Sequence, residues 1–263
     1  MKISILGCGN IGRTIIKAIA EKKVNCAISG IFDVNGDGFN RLQKSVRDDL
    51  NLNSKFTQDF SEFLNFDSEL VVEAASQKAV SEFALDVLNS KKNLMIMSIG
   101  ALVDEKLFES IRETAEKNNL KIYIPSGAVV GLDGIKGAKI GGISEVTLVT
   151  RKSPKSLGVD TNEEKILYEG PAREAVRLFP KNVNVAATVS LSGIGFEKTK
   201  VKIIADPKLK NNIHEIYVKG DFGEMKMRTE NVPSPDNPKT SYLASLSAIA
   251  MLEKIAGSVQ IGT

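Results

Sequence analysis

Residues 2–21 read KISILGCGNIGRTIIKAIAE, and this stretch decides the first part of the fold. Residues 2–6 are mostly apolar and include two β-branched isoleucines, as expected of a strand that is buried on both faces. Three further isoleucines recur at helical spacing over 13–21. Between these segments, residues 7–12 form a Gly-x-Gly-x-x-Gly motif. The stretch therefore predicts a strand, a glycine-rich turn and a helix in immediate succession.

This turn has the pattern of a dinucleotide-binding site. Gly7 permits the tight turn, Gly9 lets the backbone approach a pyrophosphate, and Gly12 lets the helix pack closely on the strand. The first N–H groups of the helix, at Asn10 and Ile11, are expected to face the phosphates. Glycines also cluster in purely structural turns, but a strand before the motif and a helix after it favour the binding site.

An acidic residue follows the motif at the interval typical of such sites. A second apolar run over 26–32 ends at Asp33, about 20 residues beyond the last glycine of the motif. Its carboxylate is expected to accept hydrogen bonds from ribose hydroxyls and to repel a 2′-phosphate. Val34 and Asn35 supply no arginine that could hold such a phosphate. The sequence therefore predicts NAD as the cofactor, with NADP as the alternative.

The rest of the first half continues the alternation. After a turn at 35–38, strands are predicted over 70–75, 93–97 and 121–124, and helices over 78–88 and 104–117. Elements that alternate at this interval predict an α/β fold with a doubly wound, mostly parallel sheet of the Rossmann type. Ligands bind such sheets outside the carboxyl ends of the strands, so we expect Ala75 and Ser76 to line the dinucleotide crevice.

The pattern changes after Pro125, where six glycines fall within 126–142 in a helical or loop context. Beyond them we expect strands over 146–151, 201–205, 214–218 and 224–228, and helices over 185–191 and 241–255. Residues 166–180 are expected to contain a strand end and a helix. A surface loop is expected over 153–162 and a proline-marked loop over 233–238. Asn184 stands at a cap position, and 219–223 is a hairpin turn. These elements predict a smaller α+β domain with a mixed or antiparallel sheet.

The chain is therefore expected to contain two domains. We assign a dinucleotide-binding domain to 1–127 and expect the C-terminal helix, within 240–263, to pack back on it. The segment 128–239 is expected to form the substrate, catalytic and dimerisation domain.

The composition excludes several functional classes. Of 263 residues 42% are hydrophobic and 25% charged, enough apolar surface to offset the entropy of ordering. A net charge of +3, spread along the chain, gives no basic stripe for a nucleic acid. No apolar run reaches the roughly 18 residues of a membrane span. Two cysteines and the absence of a signal-peptide pattern favour a cytoplasmic location, and we expect no metal site.

His214 is the single histidine of the chain and the best candidate for a catalytic group. Strand alternation places it on the same face as Ile216 and Val218, so the face is expected to turn inward. A buried imidazole needs either a hydrogen-bond partner or a catalytic task. Only histidine titrates near neutral pH without help, which makes a catalytic role possible. Both a structural and a catalytic role therefore stay open at this point.

The chain resembles the L-aspartate dehydrogenase family, in particular its archaeal branch, over nearly its whole length. The segments that carry the resemblance are GCGNIG at 7–12, VEAASQ at 72–77, SGA at 126–128, GLD at 131–133, FPKNVNVAAT at 179–188, NIHEI at 212–216, GDFGEM at 220–225 and NPKTSYL at 237–243. The resemblance implies that His214 is catalytic and that Ala128 and Asn184 contact the cofactor. It further implies that the protein oxidises L-aspartate to iminoaspartate with NAD or NADP, and that water converts the product to oxaloacetate and ammonia. The resemblance also implies a supply of iminoaspartate for NAD biosynthesis and a homodimeric protein.

A substrate with two carboxylates should meet cationic or N–H-rich groups. Lys239 and Thr240 precede the last helix, whose free N–H groups favour an anion, and they are our candidates for the substrate site. The alternative is that they only help to begin the helix.

Two other functions compete with this one. A reductase related to the dihydrodipicolinate reductases would need a paired-histidine motif, and one related to the homoserine dehydrogenases would use a catalytic lysine. A non-enzymatic NAD sensor would need only the first half of the chain, and it leaves the patterned second half without a role.

Overall fold

The computed structural model describes residues 1–34, 39–40, 42–44, 46, 54–179, 184–235 and 237–262. The chain divides into two compact units. The first consists of Met1–Pro125 and Ser247–Gln260, and the second of Ser126–Leu246 and Ile261–Thr263. The turn expected at 35–38 lies outside the described residues.

The first unit is built on a parallel sheet. Its strands are β1 (Lys2–Leu6), β2 (Ala27–Phe32), β3 (Lys55–Thr57), β4 (Leu70–Glu73), β5 (Asn93–Ile96) and β6 (Ile122–Tyr123). They lie in the order β3-β2-β1-β4-β5-β6, and every neighbouring pair runs parallel. The order reverses between β1 and β4, which is the crevice where sheets of this kind bind dinucleotides. The predicted Rossmann-type sheet is confirmed.

Helices connect these strands. They are α1 (Asn10–Ala20), α2 (Phe60–Leu64), α3 (Gln77–Asn89) and α4 (Glu105–Lys117), with a 3₁₀ helix at Ile99–Val103. Asp59, Ser76 and Asp104 cap α2, α3 and α4 by accepting backbone N–H bonds with their side chains. Sequence patterns predicted α1, α3 and α4 to within a few residues and missed the short β3 and α2.

The core of the first unit includes residues from both ends of the chain. Ile3 and Ile5 of β1 and Ile15 of α1 are fully buried in one apolar cluster. Ala248 and Leu252 of the last helix belong to the same cluster, and both are also fully buried. The last helix therefore contributes directly to this core.

The second unit contains a mixed sheet of five strands. They are β7 (Ile143–Lys152), β8 (Lys165–Pro171), β9 (Lys200–Ala205), β10 (Asn212–Gly220) and β11 (Gly223–Asn231), in the order β11-β10-β7-β9-β8. β7 and β9 run parallel, whereas the other neighbours run antiparallel. The predicted α+β unit with a mixed sheet is confirmed.

The helices of the second unit are α5 (Leu132–Gly141), α6 (Pro154–Leu157), α7 (Ala172–Leu178), α8 (Asn184–Ser192) and α9 (Gly195–Lys198), followed by α10 (Tyr242–Ala256), which continues into the first unit. The glycines expected in this region allow α5 to lie close to the sheet. A Cβ at Gly131 or Gly134 would come within 3.0 Å of the side chain of Met227 or Met225. No helix in the described ranges is long and apolar enough to cross a membrane.

Two expected loops contain regular structure instead. The proline-rich segment forms a small antiparallel pair, β12 (Pro233–Ser234) and β13 (Asn237–Ser241). Proline is tolerated as the first residue of a strand, which is where Pro233 lies. The expected surface loop over 153–162 contains α6, which Ser153 caps. The loop predictions were wrong because proline and serine mark helix and strand starts as well as turns.

Candidate functional site

The glycine turn after β1 is shaped by two steric constraints. Gly7 has a φ of +108°, and a Cβ there would lie 2.7 Å from the backbone of Ala74 and Ala75. A Cβ at Gly12 would lie 2.2 Å from the carbonyl oxygen of Gly7. Neither position admits a side chain, because real Cβ atoms do not approach backbone so closely. The expected roles of Gly7 in the turn and Gly12 in helix packing match this geometry.

Gly9 differs from the two other glycines of the motif. It is exposed, its φ is −69°, and the nearest atom to an added Cβ would be the Ala74 carbonyl oxygen at 3.6 Å. The protein itself therefore leaves room for an alanine at this position. Asn10 and Ile11 follow directly as the first residues of α1, so an exposed glycine stands at the N-terminus of the helix. This arrangement fits a pyrophosphate, which needs close approach to backbone at a helix N-terminus.

Asp33 lies against the same turn. Its Oδ2 accepts a hydrogen bond of 2.6 Å from the backbone N–H of Cys8. The acid that ends β2 is thus held at the glycine motif, where a ribose next to the pyrophosphate would lie. Burial, followed by the charge of Asp33, raises the pKa of the Cys8 thiol, so Cys8 stays protonated and acts as a small buried side chain.

Glu73 organises the other side of the crevice. It is the last residue of β4 and is only 2% exposed. Its Oε1 accepts hydrogen bonds from the N–H groups of Ala75 (2.8 Å) and Ser76 (3.0 Å). Its carboxylate also accepts bonds from the N–H groups of Met97 (3.1 Å) and Ser98 (2.9 Å) and from the Ser98 hydroxyl (2.8 Å). One buried carboxylate thus fixes the turns that follow β4 and β5.

These contacts place Ala75 and Ser76 as expected at the carboxyl edge of the sheet, where both are exposed. Burial raises the pKa of Glu73, and the hydrogen bonds from Ser98, Ala75 and Met97 oppose that shift. Sequence reasoning missed the role of Glu73. A carboxylate at the end of an otherwise apolar strand was the signal that could have identified it.

His214 lies on the buried face of the second sheet. It is 2% exposed, and its Nδ1 shares a hydrogen bond of 3.0 Å with Oγ1 of Thr150 on β7, the residue with which it pairs across the strands. Burial, and then the positive charge of Lys152, lower the pKa of His214 to about 3. The ring is therefore neutral at physiological pH, and Thr150 fixes its orientation through Nδ1.

The same face holds Ala128. The carbonyl oxygen of Ala128 accepts hydrogen bonds from Oγ1 of Thr229 (3.1 Å) and from Nδ2 of Asn231 (2.9 Å). Thr229 pairs with His214 in the sheet, so a candidate cofactor residue and the candidate catalytic residue are held by neighbouring strands. Asn184 is the first residue of α8 and is exposed, and the preceding residues 180–183 lie outside the described part of the chain.

Lys239 and Thr240 lie in β13 rather than at a free helix end. The N–H group of Tyr242, the first residue of α10, donates 3.0 Å to the carbonyl of Val232. The side chain of Lys239 is outside the described residues, and Thr240 is half-buried next to Ser241, whose hydroxyl accepts a bond from Asn212. The segment expected to bind an anion through helix N–H groups thus uses one of those groups within the protein.

The neutral imidazole makes acid unfolding a test of the His214 environment. An unfolded histidine takes up a proton near pH 6.5, whereas the buried ring does so only near pH 3. Stability linked to His214 is therefore present above pH 6.5 and is lost as the pH falls toward 3. Between pH 6.5 and 4.5 we expect this group to cost about 2 kcal/mol of unfolding free energy. Urea titrations at both pH values measure the free energies of unfolding of the native protein and of His214→Gln, and these should diverge by that amount. Parallel pH profiles of the two free energies would contradict the environment assigned to His214.

Comparisons with known proteins identify two consecutive domains in the chain. Residues 7–125 match the NAD binding domain described for homoserine dehydrogenase, and residues 133–255 match the C-terminal domain described for aspartate dehydrogenase. The chain is 46% identical over 275 residues to an L-aspartate dehydrogenase of Methanosarcina barkeri, and the alignment covers 100% of both chains. It is 41% identical to one of Nitrosopumilus maritimus, covering 100% of this chain and 99% of that protein.

Among solved structures, an aspartate dehydrogenase of Thermotoga maritima aligns over 100% of this chain and 99% of its own, with 30% identity and a TM-score of 0.82. A scyllo-inositol dehydrogenase of Lactobacillus casei with bound NAD(H) aligns at 15% identity and a TM-score of 0.55, which shows a shared fold alone.

Proposed function

The chain belongs to the L-aspartate dehydrogenase family, and from this premise we propose that it oxidises L-aspartate to iminoaspartate, which water converts to oxaloacetate and ammonia. The observation that carries the proposal is the full-length identity of 46% to a protein of that name. The chain is an oxidoreductase that uses a pyridine nucleotide. The functions of the dihydrodipicolinate reductases and of a non-enzymatic NAD sensor are not favoured, and the homoserine dehydrogenase likeness is confined to the NAD binding domain.

A bound nicotinamide cofactor would supply the acceptor for the hydride that leaves the substrate Cα. Gly9 and the N–H groups of Asn10 and Ile11 would hold the pyrophosphate, and Gly7 and Gly12 shape the turn that presents them. Asp33 would hold the ribose hydroxyls, and this favours NAD over NADP. Ala75, Ser76, Ala128 and Asn184 would complete the contacts.

His214 supplies the proton chemistry in this proposal. In the tautomer whose Nδ1–H donates to Oγ1 of Thr150, the neutral imidazole would take a proton from the substrate ammonium group through Nε2. Once that proton has passed to solvent, the same nitrogen can accept a proton from the water that attacks the iminium carbon. Because the ring is neutral at physiological pH, it needs no prior deprotonation to begin the first step.

Wider roles follow from the same proposal. We assign 1–127 with the last helix to dinucleotide binding and 128–239 to substrate binding, catalysis and dimerisation. The protein would work in the cytoplasm as a homodimer and supply iminoaspartate for NAD biosynthesis. Lys239 and Thr240 remain candidates for a substrate carboxylate.

The direct test measures NAD reduction with L-aspartate and ammonium-dependent NADH oxidation with oxaloacetate. We expect turnover in both directions and none with L-homoserine. Saturable NADH binding without turnover on any amino acid would overturn the enzymatic proposal and favour a sensor. Parallel assays with NADP would measure the expected preference for NAD.

Two glycine substitutions separate cofactor binding from folding. Gly9→Ala is expected to leave the melting temperature unchanged, because its Cβ finds room, and to raise the Kd for NADH about tenfold or more by blocking phosphate approach. Gly12→Ala is expected to lower the melting temperature, because its Cβ would collide with Gly7. Thermal unfolding and NADH fluorescence titrations measure the two effects. A Gly9→Ala protein with native NADH affinity would contradict the phosphate site.

A further inference from the structure

The buried face of the second sheet carries a row of polar side chains across three strands. His214 on β10 pairs with Thr150 on β7 and with Thr229 on β11, so the three residues lie side by side. Residues that pair directly across antiparallel strands point to the same face of the sheet. Thr150 contacts the imidazole on one side through Nδ1. On the other side, the hydroxyl of Thr229 has a different partner.

This partner is the carbonyl group of Ala128, which Thr229 and Asn231 hold together. The carbonyl oxygen accepts one hydrogen bond of 3.1 Å from Oγ1 of Thr229 and one of 2.9 Å from Nδ2 of Asn231. Nδ2 of Asn231 also donates to Oγ1 of Thr229 at 3.4 Å, so the two side chains support each other. Both lone pairs of the carbonyl oxygen are therefore used. We call the side chains of Thr229 and Asn231 the Ala128 clamp.

The clamp holds a short segment of chain over β11. Three residues beyond Ala128, a Cβ at Gly131 would lie 2.8 Å from Cγ of Met227. Met227 points to the same face as the clamp residues, because alternate residues of a strand share a face. Gly127, just before the segment, has a φ of +67°, which lets the chain turn sharply into it. Segment 128–131 therefore lies across the buried face of β11, next to the strand that carries the imidazole.

The N–H group of Ala128 is in a different situation from its carbonyl group. Among the residues that the structure describes, none accepts a hydrogen bond from this N–H. Ala128 is only 6% exposed. A buried backbone donor costs free energy when nothing accepts its hydrogen bond, so such donors are normally paired. The clamp thus fixes, beside His214, a backbone donor that is suited to a bound molecule.

We propose that Thr229 and Asn231 are positioning residues, which hold Ala128 so that its N–H donates to the carboxamide oxygen of the nicotinamide. This inference rests on the proposed function, because it takes His214 as the base that acts on the substrate. The hydride passes from the substrate Cα to the nicotinamide, so a segment beside His214 faces the nicotinamide end of the cofactor rather than its adenosine end. The carboxamide oxygen is a neutral acceptor, which suits a single uncharged backbone donor.

The family resemblance already implies that Ala128 contacts the cofactor. The clamp adds which side chains place it there and which end of the cofactor they serve. Because the clamp touches Ala128 and not the cofactor, its loss should weaken one contact without removing the pyrophosphate site. A ligand that lacks the nicotinamide should therefore not respond to the clamp.

The test compares the binding of NADH with that of ADP-ribose, which lacks the nicotinamide. Asn231→Leu removes one donor at similar side-chain size, Thr229→Val removes the other, and Thr229→Ser keeps the hydroxyl. Asn118→Leu is the matched control, because Nδ2 of Asn118 also donates to a backbone carbonyl, that of Leu88 at 3.1 Å. Asn118 follows α4 and precedes β6, at the edge of the first sheet opposite to the crevice. Isothermal titration calorimetry gives both Kd values for each full-length protein, and thermal unfolding compares their stabilities.

We expect Asn231→Leu to raise the Kd for NADH about tenfold and to leave the Kd for ADP-ribose within about twofold of the native value. Thr229→Val should raise the Kd for NADH about threefold, because one donor to the carbonyl remains, and Thr229→Ser should bind like the native protein. Asn118→Leu should lose stability but keep both affinities. A general loss of structure does not reproduce this difference between the two ligands.

Native NADH affinity in Asn231→Leu, or an equal loss of affinity for NADH and ADP-ribose, would overturn the proposal. So would a native Kd for NADH together with a raised KM for L-aspartate, which would assign the Ala128 N–H to the substrate. Should Asn231→Leu fail to fold by circular dichroism, the comparison of Thr229→Val with Thr229→Ser decides by the same criteria.

Neither binding measurement requires turnover, so the two proposals can fail separately. Variants that lose affinity for NADH but not for ADP-ribose, in a protein that does not oxidise L-aspartate, would overturn the proposed reaction and keep the clamp. A protein that oxidises L-aspartate and whose clamp variants bind NADH like the native chain would do the reverse.

Discussion

His214→Ala is expected to lose turnover with L-aspartate by a factor of roughly 10² to 10⁴, the contribution typical of a positioned general base. The ring is buried, neutral and fixed through Nδ1 by Thr150, so alanine removes a base that has a defined position. The Kd for NADH should stay within about twofold of the native value, because the glycine motif that would hold the cofactor belongs to the first unit. Steady-state kinetics at saturating NAD and NADH fluorescence titration measure the two quantities.

Thr150→Val provides the graded control for this experiment. Valine keeps the shape of threonine but removes the hydroxyl that contacts Nδ1 of the imidazole. We expect a smaller loss of kcat, about tenfold, because the base remains but its orientation is no longer fixed. If His214→Ala retained full turnover, or if Thr150→Val were as inactive as His214→Ala, the role assigned to the imidazole would be wrong.

Local patterns predicted those parts of the fold in which the sequence signal is continuous. The strand, glycine motif and helix over 2–21 follow one another without a gap, and alternation placed His214 on the same face as Ile216 and Val218, where all three residues are buried. The three-residue strand Lys55–Thr57 is too short to show alternation, and its pairing with β2 comes from tertiary structure alone.

The chemistry of the site was less visible because its partners are distant in the chain. His214 and Thr150 are 64 residues apart, and only the strand register brings them together. The strand expected over 146–151 runs one residue further, to Lys152, and that residue adds the charge beside His214. A lysine that follows a predicted strand is usually solvated, so the sequence alone gave no reason to single it out.

Glu73→Gln is expected to weaken both the first unit and its affinity for NADH. The two carboxyl oxygens of Glu73 accept bonds from four backbone N–H groups and one hydroxyl. An amide in place of the carboxyl group turns one of the two acceptor atoms into a donor, which would face the N–H groups either of the turn after β4 or of the turn after β5. Leaving such buried donors unsatisfied costs about 1 to 3 kcal/mol each. We expect a loss of about 3 kcal/mol or more in the free energy of unfolding.

The effect on the cofactor follows from which donors are released. Ala75 and Ser76 are exposed at the crevice, and Glu73 holds their N–H groups. The substitution should therefore loosen a turn that faces the cofactor and raise the Kd for NADH about tenfold. kcat at saturating NAD should change less, because His214 lies in the other unit. Glu69→Gln is the matched control: its carboxylate also accepts a backbone N–H bond, from Lys2, but at an exposed position just before β4. Equal NADH affinity and equal stability in the two variants would show that Glu73 does not organise the crevice.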